Sequence, residues 1–587
     1  MKNHLKSLIE TAITSIQQKT ILAKDITFTI QIERTRDKQF GDFSCNIAMV
    51  LAKTTHKNPR ELAELMLAHI PASDLIEKTL VAGPGFINFF LTPEALQQII
   101  KPILNLKEKY GNSDKGKGER IHIEFVSSNP TGPLHVGHGR SAAYGGCIAD
   151  ILSATGYEVH REYYVNDAGR QMAILTISVW LRYLSLCHEN ITFPVNGYQG
   201  DYVIAIAKTV HQDYGKRFHY PADKVMDNLP PDENEINGDK EAHIDALISR
   251  AQTLLSKEDY QLIFNITLKA ILDDIKDDLS LFGINYQEWF SEQQLFTNGT
   301  VKRALDTLKQ SGFLYEQNGA TWFRSTEFGD DKDRVVIREN GQTTYFASDI
   351  AYFLSKHERK FNRMILVTGS DHHGYIPRLK AAMHALGLNV NHLVMPLVQF
   401  AVLYRGKERI PMSTRSGSFV TLRQLREEVG KDAARFFYVW RKCEQHLDFD
   451  LELAKSQSND NPVYYIQYAY ARICSVFKQL NERNLIWDKE LGFTCLSHLT
   501  NEHEKNLLNT LSQFPEIVEA AASNLEPHLI AHYLREVANH FHTYYNAHQF
   551  IIDDIQLRNA RLNLIAAVKQ VLHNGLHLLS VSAPEIM

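Results

Sequence analysis

The chain has 587 residues and a mass of 67.1 kDa, with 44% hydrophobic residues, 22% charged residues and a formal net charge of −5. These proportions exclude a disordered chain, a collagen-like fibre and a disulfide-stapled miniprotein, and at roughly 150 residues per domain they allow about four domains. No apolar run approaches the ~20 residues that span a bilayer, so no membrane partner is expected, and bulk charge alone cannot recruit a nucleic acid.

At the N-terminus Lys6 and Glu10 interrupt any apolar core of a signal segment, while Leu5, Leu8, Ile9, Ala12, Ile13 and Ile16 keep helical spacing and predict an amphipathic helix. Residues 1–110 carry a net charge of +3 and close on a strand-like run, Gly85 to Leu91, so an α+β domain is expected there. Gly111 to Lys117 matches GxxxxGK, but Gly118 stands where Ser or Thr would bind magnesium and the segment precedes its strand. It reads as a flexible joint between domains. The six cysteines, Cys45, Cys147, Cys187, Cys443, Cys474 and Cys495, lie far apart with no CxxC pair. They fit buried free thiols of a cytoplasmic protein and indicate no structural metal.

From Arg120 the pattern becomes strand, helix, strand. Ile121 to Ser127 reads as a strand and Ser128 to Pro133 as a loop. Leu134 to Ala154 reads as a helix stopped by Gly156, and Tyr157 to Val165 as a second strand. This βαβ unit builds a parallel doubly wound, Rossmann-like sheet. A second unit follows at Arg363–Thr368, Gly369–Gly374 and Ile376–Leu386. Between them, residues 171–335 read as a largely helical insertion with an acidic loop, Pro230 to Glu241. From Ser456 onward the pattern is all helical, with a net charge of −4. The expected architecture is therefore α/β with three domains: 1–110, 111–455 and an all-α 456–587.

The strongest chemical signal is Asn129-Pro-Thr-Gly-Pro-Leu-His135-Val-Gly-His138-Gly-Arg140, at the point where a strand feeds a helix. His135 and His138, three apart, fall on one face of the first turn. Gly137 between them leaves room for a flat base against the backbone. A helix N-terminus attracts phosphate, and imidazole donors there can stabilise charge that develops on a phosphoryl group. No third ligand stands near enough for zinc.

This run resembles the HIGH signature of class I aminoacyl-tRNA synthetases, which would place ATP against Pro133, His135, Gly137 and His138. Their second signature, KMSKS, is matched loosely by Pro411-Met412-Ser413-Thr414-Arg415-Ser416-Gly417. Both lysines are missing. The resemblance implies that Met412, Ser413 and Arg415 face ATP, with Arg415 as replacement cation and Lys407 or Arg409 behind it. Five further runs resemble the arginyl-tRNA synthetases: Gly41-Asp42-Phe43 with Asn46, Glu124 to Pro130, Tyr345 to Asp349, Gly369 to Gly374, and the C-terminal region ending Ala583 to Met587. A guanidinium is best held by carboxylates in bidentate pairs beside an aromatic wall. Tyr345 and Asp349, one helical turn apart, can share one pocket, and Asp371 and His372 end a strand on the same sheet edge. The resemblance assigns the amino acid to Glu124, Ser127, Asn129, Tyr345, Asp349, Asp371 and His372.

The helical tail resembles the DALR anticodon-binding domain. Tyr468 and Arg472, one turn apart, can offer a stacking face to unpaired bases, and Asn46 is the candidate RNA contact in the first domain. The resemblance implies an arginine–tRNA ligase whose partners are ATP, L-arginine and tRNA(Arg). Magnesium would arrive with ATP, no cofactor would be bound permanently, and the chain would be a cytoplasmic monomer. A small-molecule nucleotidyltransferase with the same signature and a non-catalytic RNA-binding descendant are the alternatives.

Overall fold

The computed structural model describes residues 1–19, 22, 26–35, 37–234, 238–410 and 420–587. Pro411 to Gly417, with Met412, Ser413 and Arg415, therefore lie outside the described residues, as does part of the acidic loop 230–241.

The first helix, α1 (Lys2–Gln18), buries the six apolar positions that the spacing picks out. It covers a four-stranded antiparallel sheet in the order β1 (Ile32–Arg34), β2 (Phe43–Cys45), β4 (Phe86–Leu91), β3 (Ile76–Ala82). These elements enclose their own hydrophobic core. The segment after them joins a different core: Ile100, Ile103, Leu104 and Tyr110 belong to the cluster that runs through the rest of the chain.

The central sheet has five strands, all parallel: β5 (Arg120–Glu124), β6 (Glu158–Val165), β7 (Glu288–Ser291), β8 (Arg363–Leu366) and β9 (Leu393–Val394). Their spatial order is β9-β8-β5-β6-β7. The chain thus winds outward from β5 to β7, then returns to the other side of β5 with β8. That reversal opens a crevice beyond the carboxyl ends of β5 and β8, where ligands of open α/β sheets bind.

The stretch 171–335 is largely helical, as expected, but not wholly an insertion. It returns β7 to the edge of the main sheet and adds a small antiparallel sheet, Leu314–Gln317, Ala320–Phe323 and Arg334–Ile337. The four-residue strand β7 is too short to stand out between helices. Nor is Gly111–Gly118 a flexible joint. Backbone N–H groups of Ser113, Gly116 and Gly118 donate to the carbonyls of Ala154, Thr155 and Gly156 at 3.0, 2.8 and 2.8 Å. A Cβ at Gly116 would stand 2.6 Å from the Tyr157 nitrogen. The open carbonyls at the end of the helix Val136–Ala154 need donors, and Ser113, Gly116 and Gly118 supply them.

Residues 456–587 are helical, dominated by α4 (Pro462–Glu482), α5 (His528–Ala547) and α6 (Ile555–Leu578). No helix of the described residues is long and apolar enough to cross a membrane. All six cysteines are free; Cys443 and Cys474 are half-buried and the other four buried.

Candidate active site

β5 ends at Glu124, three residues short of the expected Ser127, because Val126 and Ser127 take φ of +69° and +41°. Two successive side chains in the left-handed region are costly, and such strain collects where backbone must be aimed. Here it turns the chain so that Ser127 Oγ accepts the Tyr164 N–H at 3.1 Å on the neighbouring strand. The loop then carries Asn129 across to β6, where its Oδ1 accepts from Asn166 Nδ2 at 3.1 Å.

The signature helix, α2 (Val136–Ala154), begins with a capping box made entirely of imidazoles. His135 Nδ1 accepts the Gly137 N–H at 3.0 Å, and His138 Nδ1 accepts the His135 N–H at 3.3 Å. The rings stack with centroids 3.7 Å apart. Burial lowers the pKa of both; with His135 adding to the effect, His138 falls to about 3. Both are therefore neutral near pH 7. With each Nδ1 accepting, the ring proton sits on Nε2, so each ring is a donor at that atom. Gly137 also has a near neighbour in the protein: a Cβ there would meet Cε1 and Nδ1 of His135 at 2.8 and 2.9 Å. The glycine accommodates the stacked imidazole itself. Pro133 lies half-buried just before this cap.

Backbone pairing joins this cap to the segment after residue 419. Val136 N–H donates to Val420 O at 3.1 Å, and Leu422 N–H to Leu134 O at 2.8 Å. Lys407 and Arg409 are exposed on the preceding hairpin.

The acidic pocket forms around helix α3 (Tyr345–Glu358). Tyr345 and Asp349 stand one turn apart on it, Tyr345 being 49% exposed and Asp349 half-buried. Gly169 packs where any Cβ would meet Tyr345 Oη at 3.0 Å and Asn166 Oδ1 at 3.1 Å, so Tyr345, Asn166 and Asn129 converge. Burial, then the charges of Glu292 and Glu124, pushes the Asp349 carboxyl up to about 7, against Lys356 and Arg378. Glu292 is likewise raised, chiefly by burial, and its Oε2 has no hydrogen-bond partner. Glu124 is in place but already engaged: its Oε2 lies 2.9 Å from the Lys356 ammonium.

Asp371 and His372 stand on the same edge, in the short 3-10 helix Ser370–Tyr375 beyond β8, and both side chains are exposed, 3.8 Å apart. This loop is tied to α2 through Gln399: Ser370 Oγ donates to its Oε1 at 3.0 Å, and Arg140 donates to its carbonyl at 2.8 Å.

Glu292, Tyr164 and Lys356 line this pocket without having been singled out from sequence. Glu292 opens a helix directly after β7, so its signal was the hidden strand. Lys356 follows Asp349 by seven residues, a spacing that keeps it on the same face. Behind the pocket, His160, Glu162 and Glu288 come within 4.8 Å of one another, the one grouping among the described residues with metal-ligand spacing. Arg359 donates to both carboxylates, so a cation already fills that place.

In the tail, Arg472 stacks at 4.3 Å over Tyr468 and 4.8 Å over Tyr545, and donates to His542 Nδ1 at 3.2 Å. Asn46 caps a helix in the first domain, with its Oδ1 buried and unpartnered.

A parallel sheet that reverses beside a histidine-capped helix, with an anionic pocket on the same edge, is the arrangement of a class I aminoacyl-tRNA synthetase. Three family models match in succession: the arginyl tRNA synthetase N terminal domain over residues 3–91, the catalytic domain of tRNA synthetases class I (R) over 99–438, and the DALR anticodon binding domain over 466–587. The chain is 58% identical over all 587 residues to the arginine–tRNA ligase of Thioalkalivibrio sulfidiphilus and 54% identical to that of Legionella pneumophila, covering 100% of both proteins. It shares the fold of Thermus thermophilus arginyl-tRNA synthetase, with a TM-score of 0.72 and 21% identity over 99% of this chain and 100% of that one. The chain belongs to the arginyl-tRNA synthetase family.

Proposed function

We propose that the protein is an arginine–tRNA ligase: it activates L-arginine with ATP and transfers the arginyl group to the terminal ribose of tRNA(Arg). The observation that carries this reading is a cluster of carboxylates, half-buried Asp349 and buried Glu292 foremost, on the edge that also bears the two neutral histidines. An unbalanced pair of carboxylates beside a phenol suits a planar guanidinium.

In this reading Tyr345 forms the wall of the pocket, Asp349 and Glu292 take the guanidinium, and Asn129 and Ser127 hold the amino-acid end. Asp371 and His372, exposed on the same sheet edge, are likewise assigned to the amino acid. The arginine carboxylate attacks the α-phosphorus, the bond to the bridging oxygen breaks, and pyrophosphate leaves with its charge. Nε2–H of His135 and His138 donate to phosphoryl oxygens as negative charge grows there. Their neutrality matters: a hydrogen-bond donor that is already desolvated needs no reorganisation at the transition state. Positioning supplies most of the remaining acceleration. Magnesium enters with ATP and uses the phosphates as its main ligands. Arg415, with Met412 and Ser413, is assigned to the departing pyrophosphate on resemblance alone.

The transfer step needs RNA, and the Tyr468–Arg472–Tyr545 stack offers π faces to unpaired bases. Asn46 is assigned to the same RNA. We further assign the chain to the cytoplasm and to a monomeric state.

The test is direct. Purified protein, ATP-Mg, total tRNA and each of the twenty amino acids in turn should esterify arginine alone. Esterification of another amino acid, or none, would refute the reading.

A further inference from the structure

Helix α3 and the residue that follows it carry a stripe at spacings of four and three: Tyr345, Asp349, Tyr352, Lys356 and Arg359. The proposed side-chain pocket uses the first two, and Arg359 joins the network around Glu162. Lys356 remains. It is 1% exposed, with its ammonium 2.9 Å from Glu124 Oε2 and 3.8 Å from the centre of the Tyr352 ring. An ammonium so deeply withdrawn from water persists only where a carboxylate and a π face replace its hydration.

Four carboxylates influence the half-buried Tyr164: Glu292, Asp349, Glu124 and Asp167. Two of them are occupied. Asp167 accepts from Ser291 Oγ at 2.6 Å and from the Gln293 N–H at 3.0 Å. Glu124 is taken by Lys356. Asp349 and Glu292 are left for an entering cation.

We propose that Lys356 is a specificity-determining positioning residue: by occupying Glu124 it builds the floor of the pocket and leaves an anionic site that one guanidinium fills. The proposal rests on the reading of this pocket as the arginine side-chain site. A planar fork can pair with two carboxylates at once, whereas a compact ammonium pairs well with one. If Lys356 were removed, the ammonium of a lysine or ornithine could enter the place its own ammonium had held. Asp349 is faced by Glu292 from the helix after β7, Glu124 from β5, Lys356 from α3 and Arg378 from the helix Ile376–Ala385. Loss of one of the two cations would favour its protonated form and let a proton compete with arginine.

The experiment is steady-state aminoacylation with the full-length chain carrying Lys356→Met, Glu124→Gln with Lys356→Met, or Asp349→Asn. Lys356→Met should raise the arginine KM about tenfold at pH 7, leave the ATP KM unchanged, and displace the KM–pH profile by about one unit to alkaline pH. Arginine-over-lysine and arginine-over-ornithine ratios should fall with it. The double variant, in which neither charge remains buried, should return the arginine KM to within about threefold of the parent. A double variant no better than Lys356→Met would mean that Glu124 meets the substrate itself and would overturn the proposal. So would an unchanged pH profile and unchanged discrimination in Lys356→Met. If Asp349→Asn leaves the arginine KM untouched, the pocket reading itself falls, an outcome separate from the other two.

Discussion

Asp349 shows how a single carboxyl reports on its surroundings. Its pKa is lifted to about 7 by burial first and by Glu292 and Glu124 next. A guanidinium pairs with the ionised form, so the arginine KM is expected to fall as pH rises from 6 to 7.5 and then level off. Folding raises this pKa, so the group favours the folded state below its unfolded value of 3.8, and that contribution is lost as pH rises through 7. Bound arginine reverses the effect by pairing with the charge. The increase in melting temperature on adding arginine should therefore be larger at pH 8 than at pH 6, as differential scanning calorimetry can measure. An increase that did not depend on pH would detach Asp349 from the guanidinium. The sequence made this residue a candidate through its four-residue distance from Tyr345. It did not show Glu292 beside it, because Glu292 opens a helix 57 positions earlier in the chain that only the sheet brings near.

At the scale of an element, α2 does two jobs through the same side chains. His138 accepts the His135 N–H and so helps close the open end of the helix, while its other nitrogen is the proposed donor to phosphate. His138→Ala should cost about 1 kcal/mol of stability, the usual worth of a cap, and about 100-fold in the rate of arginylation, the scale of a lost transition-state donor. Denaturant melts and single-turnover kinetics measure the two effects separately, and a rate loss no larger than the stability loss explains would leave the ring only its capping task. The helix is also fixed along its length. A Cβ at Gly145 would meet Phe125 at 2.4 Å, so the strand that carries Glu124 lies directly against α2. Arg140 is 1% exposed and donates to the carbonyls of Gln399, Lys442 and Gln445, which fastens the later loops to the same helix. These contacts hold the imidazoles and the second loop in one frame.

For the whole molecule, the hydrophobic core does not respect the compositional boundary near residue 456. One cluster runs from Ile100 through β5 and α2 into α4, α5 and α6. Arg435 donates to Leu579 O at 3.1 Å, Tyr144 to Leu525 O at 2.8 Å, and Asn574 to Lys107 O and Tyr110 O at 2.9 Å. The first domain is tied to the last by Arg34, which reaches Glu516 at 3.2 Å and Ser512 O at 3.1 Å. Removing residues 456–587 would thus uncover apolar surface on the catalytic half, so that loss of charging in such a truncation would not isolate an RNA-binding role. Tyr468→Ala and Arg472→Ala test that role in the intact chain. Each should raise the KM for tRNA about tenfold, in keeping with the loss of one stacking contact of ~1–3 kcal/mol, and leave the arginine KM unchanged. Equal rises in both constants would place these residues in folding instead.

The sequence by itself determined the elements that depend on neighbours in the chain. The amphipathic periodicity of α1, the βαβ rhythm from Arg120 to Val165, the three-residue step from His135 to His138 and the four-residue step from Tyr345 to Asp349 are all local patterns, and each was legible. It also suggested Gly111–Gly118 as a loose tether, and tertiary structure decided otherwise. Glu124 meets a lysine 232 residues later, and the glycines satisfy carbonyls at the end of α2. Charge balance in a pocket, burial of an ammonium and the satisfaction of a helix end are sums over groups that the chain brings together only by folding. Spacing along the sequence carries no term for them, and for that reason the anionic crevice could be anticipated while its internal cation could not.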